Sequence, residues 1–334
     1  MPNQPTATFG KYRHLSQCSS PAGRFNILAI DHRDSLLTSL NEAAGQAITL
    51  AEFVAFKSMI MRYLLPAATA VLTDPEVGFG PAIVNGSLGG QVGLLSPLEI
   101  TNYTDHPSLR VTNFIPDWSV RKIKRIGGAG VKLLLYYHPD APNTHHQRGI
   151  VARLVEECAE YDIPFFLEPM AYSLDKTRSL SNSELRQIVI ENVRTFSNMG
   201  IDVIKIEFPL NVDEEPDESV WTAALQELNA ACAVPWTLLS AGIDYATFRR
   251  QCELACAAGA SGIIAGRAIW AEAVQLQGET REQFLSTTAR QRMDELAAIC
   301  NQHAVSWREK IIAPQADPDW YKTYNATADG SSLL

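Results

Sequence analysis

The segment Asp202-Val-Ile-Lys-Ile-Glu-Phe-Pro209 carries the pattern on which the fold prediction depends. Successive side chains of a β-strand point to opposite faces, so this segment has one apolar face and a second face with Val203, Lys205 and Glu207. In a barrel of parallel strands, the first face packs against the outer helices and the second points inward. The segment therefore predicts a barrel strand with Lys205 and Glu207 directed into the barrel.

Seven further apolar runs of similar length alternate with helical patterns along the chain. Several of them lack polar alternation, as expected when both faces of a parallel strand are covered. The eight candidate strands are Phe25–Ile30, Ala70–Thr73, Val92–Leu95, Gly130–Tyr136, Pro164–Glu168, Asp202–Phe208, Trp236–Leu239 and Gly262–Ala265. Eight strands alternating with helices predict an α/β fold, a single-domain (β/α)8 TIM barrel. An open doubly wound sheet shares the local pattern, but no G-x-G-x-x-G follows an early strand.

Helix starts lie between the candidate strands, as this alternation requires. A capping box, in which a hydroxyl and a Glu or Gln three residues later satisfy free backbone donors, is predicted at three places. These are Thr49–Glu52, Ser181–Glu184 and Thr280–Gln283. Asp117 and Asp244 are further N-cap candidates.

No linker rich in Pro, Ser or Gly divides the middle of the chain. We therefore expect an N-terminal extension over residues 1–24, the barrel over residues 25–310 and a C-terminal tail over residues 311–334. The tail is polar with scattered aromatic residues, so we expect it to pack loosely or to contact a neighbouring subunit.

The charge balance excludes several classes of partner. The chain of 334 residues has 28 Lys and Arg against 37 Asp and Glu, a net charge of −9, so we expect no affinity for nucleic acid or for an anionic membrane. No apolar run approaches the ~20 residues of a membrane span. The six cysteines form no C-x-x-C pair, and the first residues lack the pattern of a signal peptide. These features predict a cytoplasmic protein with reduced thiols.

Two further polar residues are predicted to point inward from neighbouring strands. Lys132 lies in the fourth candidate strand, and Glu168 follows it by 36 residues. Lys205 follows Glu168 by 37 residues, so each step equals one βα unit. The strands then present Lys, Glu and Lys at similar height near their carboxyl ends, where barrel enzymes hold their active sites.

A buried lysine is costly unless it is neutral or paired. A structural Lys–Glu ion pair is one interpretation of this pattern, but such a pair needs only one lysine. With two lysines around one glutamate, the second cation makes the first easier to deprotonate. The neutral amine is a nucleophile that forms a Schiff base with a carbonyl, and a nearby carboxylate moves the proton during carbon–carbon cleavage. Of the two lysines, Lys205 is the better nucleophile candidate, because its flanking isoleucines favour a dry setting.

The turns after the last two candidate strands predict an anion site. Leu238 and Ser240 are expected to point inward, Gly242 ends a small turn, and Gly266 with Arg267 begins the next helix. In many barrels these loops bind phosphate through backbone N–H groups, and an arginine adds a bidentate contact. An ordinary tight turn with a surface arginine is the alternative interpretation.

Asp31 and Arg33 lie at the end of the first candidate strand. Arg33 is predicted to supply another anion contact, and Asp31 to hold Lys205 or a sugar hydroxyl.

The histidines show no metal-ligand spacing. His145 and His146 lie among Pro and Asn, which is typical of a solvated loop, so we expect neither a metal nor a cofactor. Residues 173–182 follow the Glu168 strand and are either a lid that excludes water from a reactive iminium or a solvated loop.

Seven motifs occur in an order that resembles the class I tagatose-1,6-bisphosphate aldolase family, which includes sulfofructose-1-phosphate aldolases. The resemblance extends from about Phe25 to about Arg308. The motifs are Leu28-Ala-Ile-Asp-His-Arg33, Asp74-Pro-Glu-Val-Gly78, Val131-Lys-Leu-Leu-Leu-Tyr-Tyr137, Phe165-Phe-Leu-Glu-Pro169, Val203-Ile-Lys-Ile-Glu207, Leu239-Ser-Ala-Gly242 and Gly266-Arg-Ala-Ile-Trp270.

The resemblance implies a metal-independent aldolase that cleaves a ketose 1-phosphate or 1,6-bisphosphate, such as tagatose 1,6-bisphosphate, to dihydroxyacetone phosphate and an aldehyde, glyceraldehyde 3-phosphate. By motif, Lys205 resembles the Schiff-base lysine, Glu168 the acid/base carboxylate and Lys132 the assisting cation. Asp31 and Arg33 match the polar group and phosphate contact of the first strand. The anion cradle is matched by Ser240, Gly242, Gly266 and Arg267.

His32 stands where the family more often has Gln, which leaves the natural substrate open. Two alternatives to the tagatose-type substrate remain. One is a 6-deoxy-6-sulfofructose 1-phosphate as substrate, and the other is a regulatory protein that senses sugar phosphates on the same barrel. In each case we expect a small sugar phosphate as the partner and a homo-oligomer as the assembly.

Overall fold

Eight parallel strands pair in sequence order, and β1 closes the barrel by pairing with β8. The computed structural model describes residues 5–100 and 106–324. The strands are β1 (Phe25–Ile30), β2 (Ala70–Thr73), β3 (Gly93–Pro97), β4 (Gly130–Tyr136), β5 (Phe165–Met170), β6 (Val203–Ile206), β7 (Trp236–Leu238) and β8 (Gly262–Ala265). The predicted (β/α)8 TIM barrel is confirmed, with strand ends that shift by one or two residues.

Helices occupy the connections between the strands. The α-helices are α1 (Phe9–Gln17), α2 (Asp34–Ala44), α3 (Leu50–Leu64), α4 (Phe79–Val84), α5 (Val120–Arg125), α6 (Thr144–Glu160), α7 (Asn182–Phe196), α8 (Glu218–Ala231), α9 (Tyr245–Ala258), α10 (Arg267–Trp270), α11 (Gly278–Phe284), α12 (Arg290–His303) and α13 (Trp320–Thr323). Leu285–Ala289 is a π-helical turn between α11 and α12. Short 3₁₀ turns lie at Leu65–Ala67, Pro107–Leu109, Ala271–Val274 and Trp307–Glu309. In the described part of the chain, no helix has both the length and the hydropathy of a membrane span.

Three of the predicted helix starts are confirmed. The capping boxes at Thr49 and Ser181 are complete, with the hydroxyl accepting from the N3 backbone and the N3 glutamate accepting from the cap. The Asp244 side chain caps α9 by accepting from the Thr247 N–H. These caps fix the starts of the helices that precede β2, β6 and β8 in the chain.

Two predicted helix starts are wrong. Helix α11 begins at Gly278, so Thr280 lies inside its first turn and its hydroxyl donates to the Gln277 carbonyl. Ser119 caps α5 in place of Asp117, which has a positive φ of 56° and precedes the helix in a turn.

The core has an inner and an outer layer. The inner layer fills the barrel and is covered at the amino ends of the strands by α1 and by the chain after α12. Its buried members are Leu15, Cys18, Phe25, Ile27, Ala29, Ala70, Leu72, Leu95, Ala129, Phe166, Val203, Ile264, Trp307 and Ile311. Because that end is closed, polar side chains that point into the barrel can meet solvent only at the carboxyl ends of the strands.

The inward direction predicted for Leu238 is wrong. Lys205 pairs in register with Thr237, and Ile206 pairs with Leu238. Leu238 therefore shares the outer face of Ile206 and belongs to the layer that packs against the helices. Ser240 reaches the mouth of the barrel because the chain has left the strand after Leu238, so the alternation no longer applies to it.

Candidate active site

A cavity of about 120 Å³ lies at the carboxyl ends of the strands. Six of the eight strands, or the turns directly after them, contribute to its wall. The lining residues are Ala29, Asp31, His32, Lys132, Leu134, Tyr136, Glu168, Met170, Lys205, Leu239, Ser240, Ala241, Ile264, Gly266 and Arg267. This is the end at which TIM-barrel enzymes carry out their chemistry.

Two buried lysines flank one buried glutamate in this cavity. Lys205 Nζ lies 2.8 Å from Glu168 Oε1, and Lys132 Nζ lies 3.0 Å from Glu168 Oε2. The side chains of Lys205 and Glu168 are each 7% exposed, and that of Lys132 is 2% exposed. The structure thus brings together the three residues that the sequence places one βα unit apart.

The charges of this group depend on one another. Burial alone would raise the pKa of Glu168, but the nearby Lys132 and Lys205 lower it below its usual value. Burial likewise works against the Lys132 ammonium, yet Glu168 and two further carboxylates raise the pKa of Lys132 well above its usual value. Glu168 is therefore an ionised base, and Lys132 is a permanent cation.

Lys132 contacts two carboxylates besides Glu168. Its Nζ lies 3.1 Å from Asp31 Oδ2 and 2.7 Å from Glu99 Oε1. Burial opposes the charge of Asp31, but Lys132, followed by His32, lowers the pKa of Asp31 well below its usual range. Asp31 is therefore ionised, and it lines the cavity.

Glu99, which is 2% exposed, was not among the site residues predicted from the sequence. Burial raises the pKa of Glu99, against the attraction of Lys132. The position of Glu99 follows from the strand register of the folded chain, because Pro97 pairs with Lys132 and Glu99 follows Pro97 by two positions. The same alternation that sends Lys132 inward extends to Glu99.

The turns after β7 and β8 meet around one arginine. The Arg267 guanidinium donates to the Ala241 carbonyl at 3.3 Å, and both residues line the cavity together with Ser240 and Gly266. Gly242 does not line the cavity but supports this arginine, because a Cβ at Gly242 would lie 3.1 Å from Arg267 Cζ. A Cβ at Gly266 would lie 2.4 Å from the Ala29 carbonyl oxygen, so the two strands approach this closely only with glycine there.

Arg33 does not line the cavity, although the sequence predicts a phosphate contact there. Its side chain is buried and donates to the Glu99 carbonyl at 2.5 Å, and Nη1 lies 3.6 Å from Glu76 Oε2. The strand ends at Ile30, so the alternation that points Asp31 inward is lost before Arg33 is reached.

His32 lines the cavity beside Asp31 and packs its ring edge-on against Trp270, with ring centres 5.4 Å apart. Burial, with a smaller contribution from Arg267, lowers the pKa of His32 to about 4. The imidazole is therefore neutral near pH 7, and its Nδ1 is buried without a hydrogen-bond partner.

The segment after β5 is anchored at its start by Glu207, whose Oε1 accepts the Ala171 N–H at 2.6 Å. Glu207 does not line the cavity, although it was predicted to point inward. Further along, Arg178 forms an exposed ion pair with Glu184 of α7. The lid function of residues 173–182 remains a prediction.

His145 and His146 were predicted to lie in a solvated loop, but they form part of the first turn of α6, where both are exposed. Among residues 5–100 and 106–324, no group of three His, Cys, Asp or Glu side chains is arranged to hold a metal ion.

Comparison with known proteins gives a family and several relatives. A family model described as DeoC/LacD family aldolase matches residues 25–272. Tagatose 1,6-diphosphate aldolase of Streptococcus agalactiae is 32% identical over 323 residues, which cover 90% of this chain and 98% of the relative. Tagatose 1,6-diphosphate aldolase 2 of Enterococcus faecalis is 32% identical over 328 residues, which cover 92% of this chain and 98% of the relative.

Solved structures match in fold. An archaeal fructose 1,6-bisphosphate aldolase has a TM-score of 0.58 at 17% identity, covering 86% of this chain and 99% of its own. The fructose-bisphosphate aldolase of Slackia heliotrinireducens has a TM-score of 0.60 at 13% identity, covering 88% of this chain and 90% of its own.

Proposed function

The chain belongs to the DeoC/LacD family of aldolases, and from this premise we propose that it is a class I aldolase with Lys205 as the Schiff-base residue. The substrate is a ketose 1-phosphate or 1,6-bisphosphate such as tagatose 1,6-bisphosphate. The products are dihydroxyacetone phosphate and an aldehyde, which is glyceraldehyde 3-phosphate for that substrate. The observation that carries the proposal is the group of two buried lysines around Glu168.

The unequal surroundings of the two lysines support Lys205 as the nucleophile. Lys132 contacts three carboxylates, which hold it as an ammonium, whereas Lys205 contacts Glu168 alone among the described carboxylates. A lysine becomes a nucleophile only when it loses its proton. Lys205, which has fewer carboxylates in contact than Lys132, is therefore the amine assigned to attack the carbonyl.

The steps follow from these positions. Lys205 Nζ, once its proton has passed to solvent, adds to the C2 carbonyl of the ketose. The C2 oxygen then takes a proton from solvent and leaves as water, which gives an iminium. Glu168 takes the proton from the C4 hydroxyl, the C3–C4 bond breaks, and its electrons pass to the iminium to give an enamine. The aldehyde leaves, and the proton held by Glu168 passes to C3 of the enamine, which restores the carboxylate and the iminium. Water then releases dihydroxyacetone phosphate and restores Lys205 as an ammonium.

The phosphate on C1 is assigned to the cradle at the ends of β7 and β8. Arg267 supplies a guanidinium fork for the phosphate oxygens, and Ser240 supplies a hydroxyl on the same side of the cavity. Lys132 stabilises the charge that develops on oxygen near C2 and C4, because its ammonium lies between Asp31 and Glu168.

Borohydride trapping tests the nucleophile. Wild-type protein incubated with dihydroxyacetone phosphate and borohydride should gain one covalent adduct by intact-mass measurement, and Lys205→Ala should gain none. Lys122→Ala is the matched control, because Lys122 is an exposed lysine on α5 and should leave the adduct unchanged. A normal adduct in Lys205→Ala would overturn the assignment.

A 6-deoxy-6-sulfofructose 1-phosphate is the second candidate substrate. Arg267 is the one arginine among the described lining residues, and both lysines already contact carboxylates. If Arg267 holds the C1 phosphate, a distal sulfonate with one negative charge suits the cavity better than a second phosphate. Comparison of kcat/KM for tagatose, fructose and sulfofructose phosphates decides between the bisphosphate and the sulfonated substrate. Binding of these ligands without turnover would favour the sensor function over both.

We also propose that the reaction needs no metal ion, because the Lys205 iminium supplies the electron sink that a metal provides in other aldolases. Dialysis against EDTA should leave kcat unchanged, and a loss restored by Zn²⁺ would contradict the proposal.

The six cysteines are free and buried, which supports a reducing, cytoplasmic setting. A homo-oligomer remains a prediction that sedimentation velocity tests.

A further inference from the structure

Lys132 is held by three carboxylates that differ in their access to substrate. Asp31 and Glu168 line the cavity, so each faces the substrate as well as the ammonium. Glu99 does not line the cavity, is 2% exposed, and forms the shortest of the three contacts, 2.7 Å from its Oε1 to Lys132 Nζ. The other carboxylate oxygen of Glu99, Oε2, is buried without a hydrogen bond. Glu99 is therefore directed to Lys132 and to no other described group.

The backbone around Glu99 is fixed from both sides. The buried Arg33 guanidinium donates to the Glu99 carbonyl at 2.5 Å. On the other side, Glu99 forms an antiparallel bridge with Phe114, and the Ile100 N–H donates to the Asn113 carbonyl at 2.8 Å. Such support is expected of a group whose position matters, because a carboxylate on a freely moving loop would not hold a fixed ammonium.

We propose that Glu99 is a positioning residue that keeps Lys132 cationic and in place throughout the catalytic cycle. The inference rests on the proposed aldolase function. During cleavage Glu168 takes a proton and loses its charge, and Asp31 is free to exchange Lys132 for a substrate hydroxyl. At that moment Glu99 is the one carboxylate contact of the Lys132 ammonium, within the described part of the chain, that neither the proton transfer nor the substrate alters.

This arrangement also decides which lysine reacts. A Lys132 without Glu99 would keep only the two carboxylates that the reaction disturbs, so its pKa would fall and its amine would become available. Glu99 therefore suppresses a competing nucleophile as well as preserving a charge. The buried Arg33 serves the same end through the Glu99 backbone, which gives it a function in place of the phosphate contact expected from the sequence.

The test compares pH profiles of kcat between pH 6 and 10 for Glu99→Gln, Glu99→Asp and the matched control Glu227→Gln, which alters an exposed glutamate on α8. We expect the alkaline limb of Glu99→Gln to move about one pH unit or more lower, with KM within about threefold of wild type. Glu99→Asp keeps the negative charge, so its alkaline limb should lie between those of wild type and Glu99→Gln. Glu227→Gln should overlay wild type. A merely structural loss would lower kcat by one factor at every pH, and that result would overturn the proposal.

A second measurement does not depend on turnover. In a Lys205→Ala background at high pH, adding Glu99→Gln should create a borohydride adduct on Lys132 that Lys205→Ala alone lacks. If Glu99→Gln does not fold, Glu99→Asp alone must show the smaller shift, and a profile equal to wild type contradicts the inference. Failure of the proposed aldolase function would be distinguishable from failure of this inference, because Lys205→Ala by itself would then form a normal borohydride adduct.

Discussion

Lys205 Nζ lies 2.8 Å from Glu168 Oε1, across two neighbouring strands of the barrel. The contact has two consequences for chemistry. Glu168 compensates the Lys205 charge in the resting enzyme, and the same carboxylate remains beside the amine once Lys205 has bonded to substrate. One group thus serves as counter-ion before the reaction and as base during it.

Glu168→Gln separates these two functions. The amide keeps the size of the side chain and loses the ability to take a proton, so we expect kcat to fall about 10²- to 10⁴-fold. The borohydride adduct with dihydroxyacetone phosphate should persist on Lys205, because its formation needs no C4 hydroxyl proton to be removed. Glu227→Gln makes the same chemical change at the surface and should retain full activity. Loss of both activity and adduct would show that Glu168 acts mainly by shaping the site.

Gly242 and Gly127 form a matched pair for the anion cradle. Their φ angles are 86° and 84°, but a Cβ at Gly242 would press on the Arg267 guanidinium, whereas nothing lies within 4 Å of a Cβ at Gly127. Both alanine variants should lose about 1 kcal/mol of stability from backbone strain. Only Gly242→Ala should also raise KM, by about tenfold, because it moves Arg267. Equal KM values in the two variants, measured by steady-state kinetics, would argue against Arg267 as the phosphate contact.

The direction of a side chain is predicted best from the sequence where the residue lies within a continuous strand. Lys132, Glu168 and Lys205 lie within β4, β5 and β6, so alternation and the regular length of a βα unit place them together. The predicted side-chain directions were less accurate at and beyond the ends of the strands. Leu238, the last residue of β7, was misplaced because its register with Ile206 puts it on the outer face. Arg33 was misplaced because the strand ends at Ile30, so alternation does not extend to it.

Glu99 was missed for a different physical reason. It follows β3 after Pro97 and Leu98, in a stretch whose inward direction becomes visible only from its register with β4. The neutral state of His32 could not be predicted from the sequence either, because the pKa of His32 is lowered mainly by the burial of the imidazole in the folded chain. Pairwise register and burial are properties of the folded chain.

The Lys57–Asp74 ion pair is expected to be the most sensitive charged pair for stability. Both side chains are fully buried, and burial lowers the pKa of Lys57 despite its contact with Asp74. Asp74→Asn preserves an acceptor for the Val77 N–H but leaves the lysine without a counter-charge, so we expect a loss of about 3–5 kcal/mol in urea unfolding. Arg178→Ala, which breaks an exposed pair with Glu184, should leave the midpoint unchanged. Similar effects from both variants would contradict this ranking.

Glu207 makes stability depend on pH in a direction opposite to that of most carboxylates. Burial is the main cause that raises the pKa of Glu207 to about 7, with Glu168 adding repulsion and the Ala171 N–H opposing. In the unfolded chain a glutamate has a pKa of about 4.3. Between these values the folded protein holds a proton that the unfolded chain releases, so the contribution of Glu207 to stability is lost as pH rises from about 4.5 to 7.

Glu207→Gln removes this titration and keeps an oxygen that can accept the Ala171 N–H. The difference in free energy of unfolding between Glu207→Gln and wild type should therefore grow in favour of the variant as pH rises, by at most about 3 kcal/mol between pH 4.5 and 8. Urea unfolding at several pH values measures it, with Glu227→Gln as the exposed control whose difference from wild type should stay constant. A difference that is flat, or that shrinks as pH rises, would mean that Glu207 is already ionised in the folded protein at low pH.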